Sequence, residues 1–337
     1  MSSISIASEP AATAARDVDP GAVVSAADRP PGPRGRRSRP GAPQGLRTNA
    51  LAWALLAATV AQLGLFVLWP LVGNAIVSTQ DRRLTRRDAP GVGLENWRAV
   101  LAEGDVHRSL RFTLLYAVVV VVATVVVAMA AALALHDRPV LRRLTGNAIV
   151  LPIATSLSIA AVGWRLVFGL DGPINQVLDL VAVDGPNWLR DPATAPWVVI
   201  LVGLWADTGL LFLLFSASLS RVPPSLVSAA RVFGRWRGVV HKYQLFVPQL
   251  RRTIVVASVL ATVSALQSFD QVLLLTDGGP DGVTRTLAFL AWERSFRFFD
   301  LGDGAVISML LAAAIAVLAV AVSVTLRRGL RSAGGDR

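Results

Sequence analysis

The stretch FTLLYAVVVVVATVVVAMAAALAL, residues 112–135, runs 24 positions without a charged side chain. A helix rises about 1.5 Å per residue, so this length crosses the ~30 Å of hydrocarbon in a bilayer. Val118–Val122 would favour a strand on a half-buried sheet in water. In lipid a lone strand leaves its N–H and C=O groups unpaired, so the segment is read as a helix. Five more apolar stretches of similar length flank it: about Ala50–Val77, Ala148–Phe168, Trp197–Leu219, Ile254–Leu275 and Ala305–Leu326. Three of them carry one charge each, Arg165, Asp207 and Asp270, and the third stretch also holds Pro152. The composition agrees. Hydrophobic residues make up 53% of the 337 and charged residues 16%, with mean hydropathy +0.55. A soluble domain carries about 25% charge. The sequence therefore predicts an all-α polytopic membrane protein with six transmembrane helices between about residues 49 and 330.

The rest of the composition removes several chemistries. There is no cysteine, hence no disulfide, thiolate zinc site, iron–sulfur cluster or Cys nucleophile. The one lysine, Lys242, follows His241, so no phosphate-binding G-x-x-x-x-G-K-[ST] loop exists. Neither H-E-x-x-H nor G-x-S-x-G occurs, and His107, His136 and His241 all lie in connections, which argues against a membrane-embedded enzyme. No metal or cofactor is expected. The net charge of +11 sits in blocks between apolar runs, as membrane topology requires, rather than in a nucleic-acid-binding patch. Residues 1–48 are rich in Ala, Pro, Gly, Ser and Arg and predict a disordered tail, and residues 331–337 form a short polar one. The first apolar run starts too late and runs too long for a signal peptide.

Lys and Arg set the orientation. With both termini inside, inner segments hold 21 of them and outer segments 11, while acids number six inside and 14 outside. The first outer connection runs against this count, with Arg82, Arg83, Arg86 and Arg87 close behind the first span.

The connection 221–252 opens RVPPSLVSAARVFGRWR. Ser225 can cap a helix after Pro223 and Pro224. Leu226, Ala229, Ala230 and Phe233 then share a face, with Ser228 and Arg231 elsewhere and Gly234 as a stop. Two readings fit: a basic amphipathic helix resting on anionic lipid, or a helix docking into a partner's groove. Basic interfacial helices are common, which favours lipid; the Ala229–Ala230 pair pulls the other way, because small residues bury little in lipid but admit a close backbone.

With that loop the sequence resembles the membrane (permease) subunits of binding-protein-dependent ABC importers, carbohydrate type, as in maltose and glycerol-3-phosphate systems. The family's loop reads roughly I-P-x-E-L-x-E-A-A-x-x-D-G-A, with a later Pro. Val222-Pro223, Leu226, Ala229-Ala230, Gly234 and Pro248 match it. In order along residues 49–330 come further likenesses: Gly93-Leu-Glu-Asn-Trp97, Leu151-Pro152 with Trp164 and Gly172-Pro-Ile-Asn175, Leu275-Thr-Asp-Gly-Gly-Pro280 with Thr284, and Phe296 with Gly302 and Ala305. The departures are Ser228 for the loop's Glu, Phe233 for its Asp, Arg235 for its Ala, and Pro248 one residue late.

The resemblance implies a MetI-like importer architecture with both termini inside, in a bacterial-type cell (inner) membrane. It implies two ATPase subunits that each grip one coupling helix (Pro223, Leu226, Ser228, Ala229, Ala230, Phe233 and Gly234 here). It also implies a second, different permease subunit and an extracellular solute-binding protein, and no nucleic acid. The substrate-pathway candidates are Asp207, Gln267, Asp270, Ser156 and Ser158, and the binding-protein-facing turn is Gly278, Gly279 and Pro280. The spacing i, i+3 puts Gln267 and Asp270 on one helical face. Each has a plainer alternative. The carboxylates can hold the bundle together, the serines can bond their own helix, Arg165 can snorkel to the interface, and Gly-Gly-Pro can be turn chemistry alone. A permease for a polyamine or peptide, and an autonomous secondary transporter, remain alternatives, although no internal repeat is seen.

Overall fold

The computed structural model describes residues 45–223, 225, 228 and 246–334. Leu226, Ala229, Ala230, Phe233 and Gly234 of the expected coupling helix lie outside these residues, as does most of the expected tail. Pro223 and Ser228 are described, and both are exposed.

The described chain is helical, apart from two isolated bridges. In order it forms α1 (Gly45–Leu63), a π-helical turn Gly64–Leu68, α2 (Trp69–Val77), α3 (Glu95–Ala102), α4 (Gly104–His136), α5 (Pro139–Ala154), α6 (Leu157–Val167) and α7 (Pro173–Asp179). Then come α8 (Ala195–Leu219), α9 (Arg251–Leu266), α10 (Asp270–Leu275), α11 (Leu287–Trp292), a π-helical turn Glu293–Arg297 and α12 (Leu301–Gly334). The chain falls into two units, one ending at Ala61 and one beginning at Gln62. In the first, the side chains from Ala52 onward are exposed, Trp53 and Leu55 among them.

Among the described residues three helices are long and apolar enough to cross a bilayer: Ala52–Val77, Gly104–His136 and Ala195–Leu219. A bent pair, Val140–Ala154 with Leu157–Val167, makes a fourth if counted as one span. The expected third stretch is thus not one straight helix. Thr155 and Ser156 are extended, and the two halves meet at 110°. Pro152, inside α5, cannot donate to the helix ladder just before this bend. The expected fifth stretch is also divided. α9 ends at Leu266 and α10 begins at Asp270, so Gln267 and Asp270 do not share one helical face. The last apolar stretch sits in α12, with Leu301–Val317 as its described apolar part.

In the second unit α4 packs most extensively on α8, and next on α9. Small residues permit this. Ala128 and Ala132 of α4, with Ala257, Ala261 and Ala265 of α9, are spaced four apart and fully buried. Glycines do the same on α8. A Cβ at Gly209 would press on the Ile149 carbonyl of α5, and one at Gly203 would collide with the Tyr116 hydroxyl of α4. The core separates along the bundle. Phe215, Leu219, Phe246, Leu250 and Leu211 fill the end near the 221–252 connection, and Tyr116, Val199, Phe168, Val272 and Phe289 fill the opposite end.

At that opposite end charges are paired. Arg285 Nε lies 3.1 Å from Glu293 Oε2, and its Nη1 lies 3.4 Å from Asp105 of α4. Arg294 pairs with Glu103, and Arg297 pairs with Asp277 while its guanidinium lies 5.1 Å from the Trp292 ring centre. Glu293 is 5% exposed. The same end explains part of the arginine cluster behind the first span. Arg83 pairs with Asp81 and Asp300, and Arg86 with Asp81. The hydrogen bond from Arg86 holds the Asp81 carboxyl below the usual carboxylate range. The backbone joins in: Leu84 N–H donates to Phe299 O, and Leu301 N–H to Arg82 O, both at 2.9 Å.

Two outcomes follow. Gly203→Ala should destabilise the bundle by about 1–3 kcal/mol, the usual cost of overpacking. It would be read as a lower melting temperature of the detergent-purified protein. Adding Tyr116→Phe should restore part of the loss, because it removes the hydroxyl that the new methyl meets. Glu293→Ala should cost about 2–3 kcal/mol, less than the ~3–5 of a fully buried pair because Arg285 is a quarter exposed. Glu293→Gln should cost less than Glu293→Ala in the same melt.

Candidate functional site

A break between helices frees backbone groups that side chains or neighbouring elements must satisfy. At 267–269 a side chain at the start of α11 supplies one such partner. The Ser268 carbonyl accepts from Thr286 Oγ1 at 2.8 Å, and Thr286 in turn caps α11 by accepting from Phe289 N–H at 3.2 Å. Ser268 Oγ accepts from Gln271 Nε2 at 2.6 Å, and the same amide donates to Tyr116 Oη at 2.7 Å. Gln271 therefore ties the start of α10 to the middle of α4. Gln271 is 4% exposed, and its Oε1 is buried with no hydrogen-bond partner among the described residues.

Around this break opens a pocket of about 190 Å³. Its polar wall holds Asp207 of α8, Ser264 of α9, Gln267 and Ser268 at the break, and Asp270 and Gln271 of α10. Its apolar wall holds Tyr116, Phe269 and Leu157. Ser264 Oγ donates to Asp207 Oδ1 at 2.8 Å, which joins α8 to α9 and leaves the second carboxylate oxygen without a partner in that bond. Carboxylates, amides and hydroxyls beside aromatic faces make a surface that can hydrogen-bond a hydroxyl-rich ligand and stack on its apolar face.

Of the pathway candidates read from sequence, Asp207, Gln267 and Asp270 line this pocket together. Ser156 and Ser158 do not; Ser156 is the cap residue of α6, and Leu157 is the pocket residue of that turn. Tyr116, Gly203, Ser264 and Gln271 belong to the pocket and were not among the candidates. Tyr116 carries a weak signal in sequence as a phenol within a span without charges. Ser264 and Gln271 carry none, since single hydroxyls and amides in a span usually bond their own helix or a neighbour.

Gly278, Gly279 and Pro280 lie in a turn at the end of α10. Gly278 has φ +77°, and a side chain there would run into Phe289. Thr284 Oγ1 donates to Gly279 O at 2.7 Å and lies 2.8 Å from Thr276 Oγ1, so the two threonines close the turn. Gly279 and Pro280 line a second, open cleft of about 780 Å³ together with Arg165, Arg190, Asp277 and Asp281. Arg165 also donates to Leu274 O at 3.4 Å. It is anchored on α10 as well as extended toward the cleft. The other resembling motifs have local tasks. Asn96 donates to the carbonyls of Ser78 and Gln80, and Asn175 accepts from Trp188 Nε1 and donates to Leu170 O. Among the described residues no three His, Cys, Asp or Glu side chains gather as a metal site.

No family model matches the chain. Curated relatives do. The trehalose/maltose transport system permease protein MalF of Thermococcus litoralis is 28% identical over 269 residues, 78% of this chain and 89% of that protein. The lactose transport system permease protein LacF of Rhizobium radiobacter is 28% identical over 79% of this chain and 90% of its own length. The trehalose transport system permease protein SugA of Mycobacterium tuberculosis is 28% identical over 79% and 85%. Among solved structures, a chain of a bacterial alginate ABC transporter, crystallised with an alginate-pentasaccharide-bound periplasmic protein, superposes with a TM-score of 0.71. That likeness covers 84% of this chain and 96% of the other at 17% identity, so it speaks for the fold. In sequence the chain is thus similar to permease proteins of trehalose, maltose and lactose transport systems, and in fold to a chain of an ABC transporter.

Proposed function

We propose that the chain forms half of the translocation pathway of an ATP-driven importer for a sugar or sugar-like solute. The observation that carries this reading is the polar pocket at the break between α9 and α10, inside an otherwise apolar bundle, in a chain whose relatives include trehalose, maltose and lactose permeases. Carboxylates and amides within membrane-spanning segments are costly and are functional candidates by default. Here they surround a cavity and are joined across α4, α8, α9 and α10.

The proposal includes six spans with both termini inside, a multi-pass subunit of the cell membrane. The 221–252 connection then lies inside, where its short helix docks on a separate ATPase subunit. Nucleotide hydrolysis belongs to two such subunits, and a second, different permease completes the pore. The turn at Gly278–Pro280 lies outside, where an extracellular binding protein delivers the solute. α8 and α9 bracket the docking connection, and Thr253 Oγ1 donates to Ser218 Oγ at 2.9 Å near it, while Asp207 and Ser264 join the same two helices at the pocket. A displacement of the docking helix would therefore move two helices clamped together and change the pocket wall.

Both ends of this reading can be tested in the assembled transporter. Ala229→Arg or Ala230→Arg should abolish uptake of radiolabelled disaccharide while the chain still inserts in the membrane; full uptake would remove the docking role. Asp207→Ala and Asp270→Ala should each lower uptake about tenfold or change preference within a panel of trehalose, maltose and lactose. Unchanged uptake in both variants would reduce these carboxylates to scaffold.

A further inference from the structure

We infer that the pocket at the α9–α10 break is a charge filter, which admits neutral or amine-bearing polyols and rejects anionic ones. This rests on the reading of that pocket as part of the pathway and adds a substrate class to it. Among the described residues the pocket wall contains two carboxylates, Asp207 and Asp270, and no Lys, Arg or His. Its other polar groups are the neutral Tyr116, Ser264, Gln267, Ser268 and Gln271. Gln271 is buried, and its Oε1 is an acceptor without a partner among the described residues. The free valences of the wall are thus mostly acceptors, which suit hydroxyl or ammonium donors.

A uronate, sulfonate or phosphate would meet like charge in a poorly solvated space, where repulsion is far stronger than in water. The arginines of this end do not relieve that repulsion. Arg165 and Arg190 line the separate cleft at Gly279, where Asp277 and Asp281 face them. Arg285, Arg294 and Arg297 are each paired with an acid.

The chain has no cysteine, so Gln267→Cys places a single thiol on the pocket wall. In the assembled transporter, the labelling rates of this thiol by a cationic trimethylammonioethyl and an anionic sulfonatoethyl methanethiosulfonate can be compared by mass of this chain. Each rate is normalised to the rate on a free thiol in solution. The filter predicts a cation-to-anion ratio of about tenfold or more, where each ~1.4 kcal/mol gives a factor of ten. Asp207→Asn with Asp270→Asn should bring the ratio close to one. A ratio near one in the otherwise unaltered pocket overturns the filter, as does a high ratio that survives both carboxamides. The first measurement stands even where a carboxamide variant fails to assemble. If the thiol reacts with neither reagent, at rest or with the ATPases trapped by vanadate, the pocket is not on an aqueous path, and the pathway reading falls along with the filter.

Discussion

A bilayer interior offers no water to a backbone N–H or C=O, so every interruption of a membrane helix must be met by other protein groups. In the proposed fifth span that constraint falls on residues 267–269. Thr286 takes the Ser268 carbonyl, Ser268 and Tyr116 take the Gln271 amide, and the helix restarts at Asp270. Ser268, Tyr116 and Gln271, which bond one another beside the break, also line the cavity there.

Close helix packing makes the arrangement possible. Without a hydrophobic drive between helices in lipid, contact comes from small residues that let backbones approach. The alanines of α4 and α9 and the glycines of α8 serve this end. Gly203 has a second task, because only the absence of its side chain lets the Tyr116 hydroxyl lie against α8 and reach Gln271. Packing and site geometry are here one requirement. A methyl group at position 203 would disturb both.

At the end of the bundle that carries the Gly-Gly-Pro turn, ion pairs add to the apolar contacts. Arg285, Glu293, Arg297 and Asp277 connect the turn to the π-helical segment 293–297, and Asp105 and Glu103 connect both to α4. Arg83 and Arg86 behind the first span join this scheme through Asp81 and Asp300. Their presence is at odds with a charge count along the chain, because such a count takes no account of pairing between distant acids and bases. Most of these pairs reach solvent, where each contributes little alone. Their effect lies in fixing the relative position of loops with few apolar contacts.

Hydropathy alone was enough to read a helical membrane protein, since the need to satisfy the backbone in lipid leaves no other fold for residues 112–135. Ordered short motifs pointed to the permease class, and Asp207, Gln267 and Asp270 stood out because charge and amide inside apolar runs are rare. The interruptions at Thr155–Ser156 and Gln267–Phe269 could not be read in the same way. Hydropathy averages over a window and is blind to a break of two or three residues, such as the one where Thr286 takes the Ser268 carbonyl. Tyr116, Ser264 and Gln271 likewise became site residues only through partners 57 to 155 positions away. Local sequence determines which segments lie in lipid, because solvation acts on each residue by itself. Which polar side chains meet in the bundle depends on how whole helices pack, and that was decided by the tertiary structure.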